Sequence, residues 1–359
     1  MHNAYAVDYT RAYRELFLRH RGEDHVLFSR TAAAGTQKYA CQFGGDQLSS
    51  MRGLTFAISG GISAAMSGLP FWGVDIGGYT GFPDEETYLR WTEFGAFCPI
   101  MRYHGTTPRE PWVYSEYATE VYKFYAWLRE NILPYSVETA LHTHDTGAPV
   151  MRAISMEFPG DAEAAKWTDE YLYGEYLLVA PVHTEGEKRA VYFPEGRWTN
   201  LFDNTVTDGK NIRTISVPIG RIPVYLREGS VIPLALNGDM RLGESMRFER
   251  RNVLMLTEPS DITSGVCRSG GKETKYILRR SGKSFAIHLE AVHCPEWIVI
   301  MGMTDGILKI SENGKELSEQ PSLNALRFCS GWVRERHGQI ILRVLPSELE
   351  EIVITEENR

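Results

Sequence analysis

Residues 53–78, "GLTFAISGGISAAMSGLPFWGVDIGG", decide how the first part of the chain is built. The stretch 53–68 reads as a helix and the apolar run 69–78, closed by two glycines, as a strand. Gly60, Gly61 and Gly68 lower intrinsic helix propensity, but small residues let a helix approach a sheet closely. With "HVLFS" at 25–29 ahead of it, the order becomes strand, helix, strand, the signature of a parallel α/β sheet. Further on, "ATEVYKFYAWLRENILPYSVETALHTHDTG" at 118–147 places Val121, Phe124, Tyr125, Leu128 and Ile132 at helical spacings. Pro134 is expected to kink or divide that helix, and Gly147 to stop it.

After about residue 146 the pattern changes to short strands separated by turn residues. "YLLVAPV", "RAVYFPEGRWTNLF" and "RTISVPIGRIPVYLREGSVIPL" read as an antiparallel sheet or sandwich. From about 238, "KYILRRS", "SFAIHLEAV", "EWIVIMGM" and "IILRVLP" continue the strand pattern in a second β unit. The expected organisation is an α/β piece over residues 1–145, a β-domain over 146–237 and a further β-domain over 238–359. No internal repeat or low-complexity segment interrupts it.

At 359 residues and 43% hydrophobic, the chain can build two or three real cores. A formal net charge of -8, with no basic run of five or more residues, argues against nucleic acid and against an anionic membrane surface as partners. No apolar run reaches the roughly 18 residues of a membrane span, and "MHNAYAVDYTRAYRELF" lacks the charged start and apolar centre of a signal peptide. Cys41, Cys98, Cys267, Cys294 and Cys329 are odd in number and scattered, which suggests neither a zinc site nor a disulfide framework. A soluble, unexported protein of the reducing cytoplasm is the expectation. "HTHDTG", with His142, His144 and Asp145, has a plausible metal spacing but lies where a helix is ending, so no metal site is assigned. No P-loop, G-x-G-x-x-G or G-x-S-x-G occurs, which removes the usual support for nucleotide, dinucleotide and serine-hydrolase readings.

Polar side chains at the ends of successive parallel strands converge on one rim of the sheet. Arg30 closes "VLFSR", Asp46 follows "YACQFGG", Asp75 sits in "FWGVDIGG" and His104 ends "PIMRYH". With Phe43, Trp72 and Tyr79 as walls, these residues suit a sugar, whose hydroxyls need donors and acceptors and whose apolar faces need aromatic rings. Each also has a purely structural reading: an Asp beside glycines is a turn residue, Arg30 can pair with a structural carboxylate, and a His after a strand is a loop residue. Their joint placement at strand ends favours the pocket.

The run of motifs from "MHNAYAVDYTRAYRELF" through "VLFSRTAAAGTQKYACQFGGDQ", "GLPFWGVDIGGYTG", "FGAFCPIMRYHG" and "TGAPVMRAISMEFP" to "LLVAPV", "VYFPEGRW" and "IPVYLREGSVIPL" resembles glycoside hydrolase family 31. The likeness extends to about residue 235; residues 238–359 resemble the family only by position. It implies α-glucosidase- or α-xylosidase-type chemistry on the C-terminal half of a (β/α)8 TIM barrel, followed by two β-sandwich-like domains. The resemblance assigns Asp46 as general acid/base, with Phe43 standing where many members carry tryptophan. By the same likeness Arg30 holds the sugar and supports the acid, Asp75 forms the base of the minus-one subsite and His104 hydrogen-bonds sugar hydroxyls. Tyr79 takes the place of a common phenylalanine, and Trp72 lies near the same wall.

Retaining hydrolysis needs two carboxylates roughly 5–5.5 Å apart, one protonating the leaving oxygen and one attacking the anomeric carbon. The family's nucleophile precedes the M-H-N-x-Y stretch with which this sequence opens, so the nucleophile is expected to be absent from the chain, together with the first half of the barrel. Asp8 lies in a helical pattern and Asp24 in the polar "RGED" loop, and neither reads as a strand-end nucleophile. The expected function is retaining hydrolysis of terminal α-linked glycosides, from an oligosaccharide or small glycoside, without metal or organic cofactor. Alone, the chain is expected to be inactive, with a second chain supplying the missing barrel half. The alternatives are a carbohydrate-binding or assembly partner without turnover, and a non-functional fragment of a split gene.

Overall fold

The computed structural model describes residues 2–269, 272–291, 296–303, 306–344 and 349–357. Cys294 and the last two residues of "IILRVLP" lie outside them. The described residues form two compact units, one made of residues 1–126, 139–194 and 212–223, the other of 127–138, 195–211 and 224–359.

The first unit opens with helix α1 (His2–Arg21) and four strands, β1 (Phe28–Ser29), β2 (Cys41–Phe43), β3 (Trp72–Ile76) and β4 (Ile100–Tyr103). They pair in parallel and in chain order. Helix α2 (Met51–Met66) connects β2 to β3, and α3 (Glu85–Gly95) connects β3 to β4. Strand β1 is shorter than "HVLFS" suggests; as the edge of the described sheet it has a single neighbour to hold it extended.

Local chemistry accounts for α2. Ser50 caps its first turn by accepting from the Gly53 N–H, and Leu54, Ala57, Ile58, Gly61, Ile62 and Ala65 form one buried stripe at helical spacing. Gly61 is where the stripe meets the sheet: a β-carbon placed there would lie 2.5 Å from the ring of Trp72. Gly60, one residue earlier, has open space around it. Strand β3 is buried over its whole length, as expected where both faces of a parallel sheet are covered.

Helix α3 is capped by Asp84, whose side chain accepts from the Thr87 N–H, and every residue from Thr87 to Gly95 is buried. Two of these are charged. Arg90 bonds Glu93 at 3.1 Å and donates to the carbonyls of Val217 at 2.9 Å and Arg221 at 3.0 Å. Glu93 accepts from the Gly220 N–H at 2.8 Å. The pair therefore ties residues 217–221 to α3. Burial pushes the Glu93 carboxyl up to about 8, against the opposing pull of Arg90 and the Gly220 N–H.

The long helical pattern divides into α4 (Glu116–Asn131) and α5 (Leu133–Thr146), with Pro134 in the first turn of α5, where its missing N–H costs nothing. Gly147, at φ 78°, ends α5 and donates to the Thr143 carbonyl. Short strands follow: β5 (Met151–Ala153), β6 (Tyr171–Tyr173), β7 (Leu177–Val179), β8 (Lys188–Phe193), β9 (Arg197–Asn200), β10 (Val206–Asp208), β11 (Asn211–Ser216) and β12 (Val224–Arg227). In the first unit β5, β6 and β7 pair antiparallel in chain order, and β8 pairs with β11. One helical turn, Ile154–Glu157, interrupts the β-pattern after β5.

In the second unit β9 lies between β10 and β12, antiparallel to both. The strands that follow are β13 (Val231–Leu236), β14 (Arg251–Thr257), β15 (Ile262–Ser269), β16 (Lys272–Ser281), β17 (Ser284–Ala291), β18 (Trp297–Met301), β19 (Ile307–Glu312), β20 (Lys315–Glu316), β21 (Gly331–Arg334), β22 (Ile340–Arg343) and β23 (Leu349–Glu357). They form two sheets, in the orders β13-β14-β18-β22-β21 and β15-β16-β17-β23-β19-β20. Strand β13 precedes the expected boundary at residue 237, yet it pairs along its whole length with β14. Buried positions alternate along β17, at Phe285, Ile287 and Leu289, whereas β14 is buried without a break from Val253 to Thr257; Leu254 and Leu256 of β14 join the β17 residues in one core shared by both sheets.

Two outcomes follow. Gly60→Ala should stabilise the protein by about 0.5–1 kcal/mol through helix propensity, whereas Gly61→Ala should destabilise it by about 1–3 kcal/mol because the methyl meets Trp72; urea unfolding of the two variants checks this. Glu93 holds its proton more tightly folded than unfolded, so its contribution to stability is full below the ordinary 4.5 and is lost as pH rises toward about 8. Glu93→Gln, which cannot ionise, should therefore flatten the fall in unfolding free energy between pH 5 and 8 seen with the unaltered chain.

Candidate active site

Because β1 to β4 are parallel, their C-terminal ends share one rim, and each contributes a polar residue there. Arg30 follows β1 directly, Asp46 lies in the loop after β2, Asp75 is in the last turn of the pleat of β3, and His104 follows β4. Backbone bonds stitch these loops together: the Tyr79 N–H donates to Gln47 at 2.8 Å, and the Thr106 N–H donates to Tyr79 at 2.8 Å. Buried Arg109 braces them from beneath, donating to the carbonyls of Gly78 at 2.7 Å and Gly81 at 3.0 Å and to Ser49 Oγ at 3.1 Å. Gly78 is required at its position: φ is 74°, and a β-carbon would sit 2.7 Å from the Ser49 backbone.

On this rim Arg30 and Asp46 form an ion pair at 3.2 Å, with side chains 60% and 38% exposed. Tyr79 and His104 lie against each other with ring centroids 5.3 Å apart. Asp75 is 1% exposed and is paired through Oδ1 with Arg102. Its other oxygen, Oδ2, is buried and has no hydrogen-bond partner. The Arg102 guanidinium in turn lies over the rings of Phe28 and Phe43, 4.8 Å and 4.7 Å from their centroids. Those two rings are 5.1 Å apart. The arrangement offers a carboxylate beside a guanidinium, a buried oxygen that can accept from a hydroxyl, and an imidazole at the same edge, which together fit a polyhydroxylated ligand.

Two of the expected residues stand differently from the sequence reading. Trp72 is not a wall of the pocket: it is 5% exposed and packs on Gly61 of α2 and on Gly44, on the face of β3 opposite Asp75. The ring of Phe43 is at the site, but Arg102 occupies one side of it. Arg102 itself was missed. Its signal in the sequence is positional: it stands two residues before His104, and in the parallel register it is the partner of Asp75. A carboxylate on a fully buried strand requires a cation within reach.

Elsewhere, Asp8 pairs with Arg11 at 2.8 Å on the exposed face of α1, and Asp24 lies in the loop after that helix. His142, on α5, is 3.4 Å from Glu175. Among the described residues no group of three or more His, Cys, Asp or Glu is arranged to hold a metal ion.

The exposed Arg30–Asp46 pair contributes at most about 1 kcal/mol to stability. Arg30→Ala and Asp46→Asn should therefore unfold within about 1 kcal/mol of the unaltered chain, while Trp72→Ala should cost about 3–5 kcal/mol, all measured by denaturant titration.

Residues 1–139 match the family description "Glycosyl hydrolases family 31 TIM-barrel domain", and residues 147–232 match "Glycosyl hydrolase family 31 C-terminal domain". The isomaltosyltransferase of Sporosarcina globispora is 34% identical over 263 residues, which is 68% of this chain and 24% of that relative. Alpha-glucosidase 2 of Bacillus thermoamyloliquefaciens is 31% identical over 291 residues, 80% of this chain and 35% of the relative. The solved structure of the Flavobacterium johnsoniae GH31 dextranase complexed with glucose superposes with a TM-score of 0.84 at 26% identity, covering 99% of this chain and 49% of that one. The chain thus spans 24% and 35% of the length of the two curated relatives. Both domain matches name the same family, and the parallel strands with polar residues on one rim are what its barrel requires: the chain belongs to glycoside hydrolase family 31.

Proposed function

We propose that this chain is the acid/base-bearing part of a retaining α-glycosidase acting on terminal α-linked glycosides, of α-glucoside or α-xyloside type. The observation that carries the reading is the Arg30–Asp46 pair on the same rim as the buried, partnerless Oδ2 of Asp75. In this reading Asp75 and His104 hold hydroxyls of the terminal sugar, and Arg30 orients Asp46. Asp46 protonates the glycosidic oxygen as it leaves, while a second carboxylate forms the glycosyl-enzyme. Asp46 then takes a proton from the water that releases the sugar.

The second carboxylate comes from outside these residues, and so do the strands that close the barrel. Four parallel strands are half of the eight that a (β/α)8 barrel needs. The exposed faces support a partner there: α1 presents Tyr5, Tyr9, Tyr13 and Phe17 along one side, and Trp112, after β4, is 71% exposed. We take what covers them to be the first barrel half, whether it lies on the same polypeptide or on a second one. A second reading, saccharide binding without turnover, is favoured by the same site considered without a nucleophile.

General acid catalysis alone contributes about 10²–10⁴-fold, short of the roughly 10⁶-fold or more typical of enzymes. The purified 359-residue chain should therefore show no measurable turnover of aryl α-glucosides or α-xylosides, and co-expression with the first barrel half of a family member should restore it. Turnover by the chain alone that disappears in Asp46→Ala would reveal a second carboxylate within it and overturn this assignment. Saturable sugar binding with no turnover after reconstitution would favour the second reading.

A further inference from the structure

Phe28, Phe43, Asp75 and Arg102 come one each from β1, β2, β3 and β4; Arg102 meets each of the other three, and the two rings lie against each other. We propose that this layer is a positioning device for Asp75: Phe28 and Phe43 orient Arg102, and Arg102 sets the direction of the Asp75 carboxylate. The proposal rests on the reading that Asp75 accepts a saccharide hydroxyl, and it assigns Phe43 a different part from that of a sugar-stacking wall.

A buried carboxylate needs a partner, and Arg102 is the partner that the parallel register supplies. Which of the two Asp75 oxygens remains available is decided by where the guanidinium sits. Arg102 reaches Oδ1 and leaves Oδ2 buried and without a partner, so Oδ2 is the atom left to receive a hydroxyl. The guanidinium could swing about the long side chain of Arg102, which carries substantial rotamer freedom. Two aromatic faces within 5 Å of it remove that freedom. Arg102 Nε is itself buried with no hydrogen-bond partner, so hydrogen bonding at that atom does not hold the plane; the rings do. A planar guanidinium can lie flat on the rings while its edge pairs with Asp75, whereas the compact ammonium of a lysine has no plane for the rings to orient.

Phe43 therefore acts on the sugar through Arg102. If it were a wall, its ring would act on the sugar directly, and the two cases differ in how substitutions combine. Phe43→Leu and Arg102→Lys should each weaken binding of methyl α-D-glucoside by about tenfold or more, the scale of a charged hydrogen bond lost from alignment. The double variant should be no weaker than Arg102→Lys, because the ring has nothing left to orient. Phe43→Trp, with a better cation-binding face, should keep the affinity of the unaltered chain. Thermal unfolding of each variant confirms that a folded protein was titrated.

The second measurement needs no sugar. In the unaltered chain the Arg102 Nε–H resonance should be displaced upfield by the two rings, and Phe28→Leu or Phe43→Leu should each move it back toward the position of an unstacked arginine. Additive losses of affinity in the double variant, or an Arg102 resonance unmoved by either ring substitution, would overturn the proposal. If the unaltered chain binds no glucoside at all, the saccharide reading of the site fails. The Nε resonance then decides by itself whether the rings hold Arg102.

Discussion

Asp75 is a charge placed inside the wall of a parallel sheet, and much of the rim is arranged around that constraint. Desolvating a carboxylate is costly enough that it must be paired. The pairing residue has to come from a neighbouring strand because β3 is covered on both faces. Arg102 meets the need in register on β4, and the aromatic side chains of β1 and β2 fill the space on its other side. One buried charge thereby links all four strands of the sheet.

The same economy recurs elsewhere in the first unit. Arg90 and Glu93 are buried on α3, and their spare hydrogen-bonding capacity goes to backbone groups of residues 217–221, so the pair holds a segment rather than a ligand. Asp169 is another case: burial raises its carboxyl, but hydrogen bonds from His183 and Arg189 outweigh this and hold it well below the usual carboxylate range. His183 also meets Thr55 of α2 through Nδ1 at 3.1 Å. These ionisable groups are wholly or partly withdrawn from solvent, yet the bonds they make hold protein segments together.

Arg30 and Asp46 are the contrast. They are exposed and, among the described residues, form an ion pair with each other, so little stability depends on them. That separation suits the roles proposed for them: Asp46 is free to act without holding the fold together, while Asp75 is fixed in place by Arg102.

Local chemistry made much of the fold legible. The Ser50 cap and buried stripe of α2, the break before Pro134, the stop at Gly147 and the strand that contains Asp75 all follow from short-range spacing and turn residues. The motif positions Arg30, Asp46, Asp75 and His104 were legible as strand ends for the same reason. What the sequence could not decide was facing. A strand buried on both sides shows no alternation of apolar and polar residues, so "WGVDI" does not say which face of the sheet Trp72 takes. Helix α2 decides it, because Gly61 leaves the room that the indole fills. The partnership of Asp75 with Arg102, 27 residues apart, likewise exists only once the strands are in register. Period and caps are set by neighbours in the chain, whereas the face of a doubly covered strand and the partner of a buried charge are set by what packs against it.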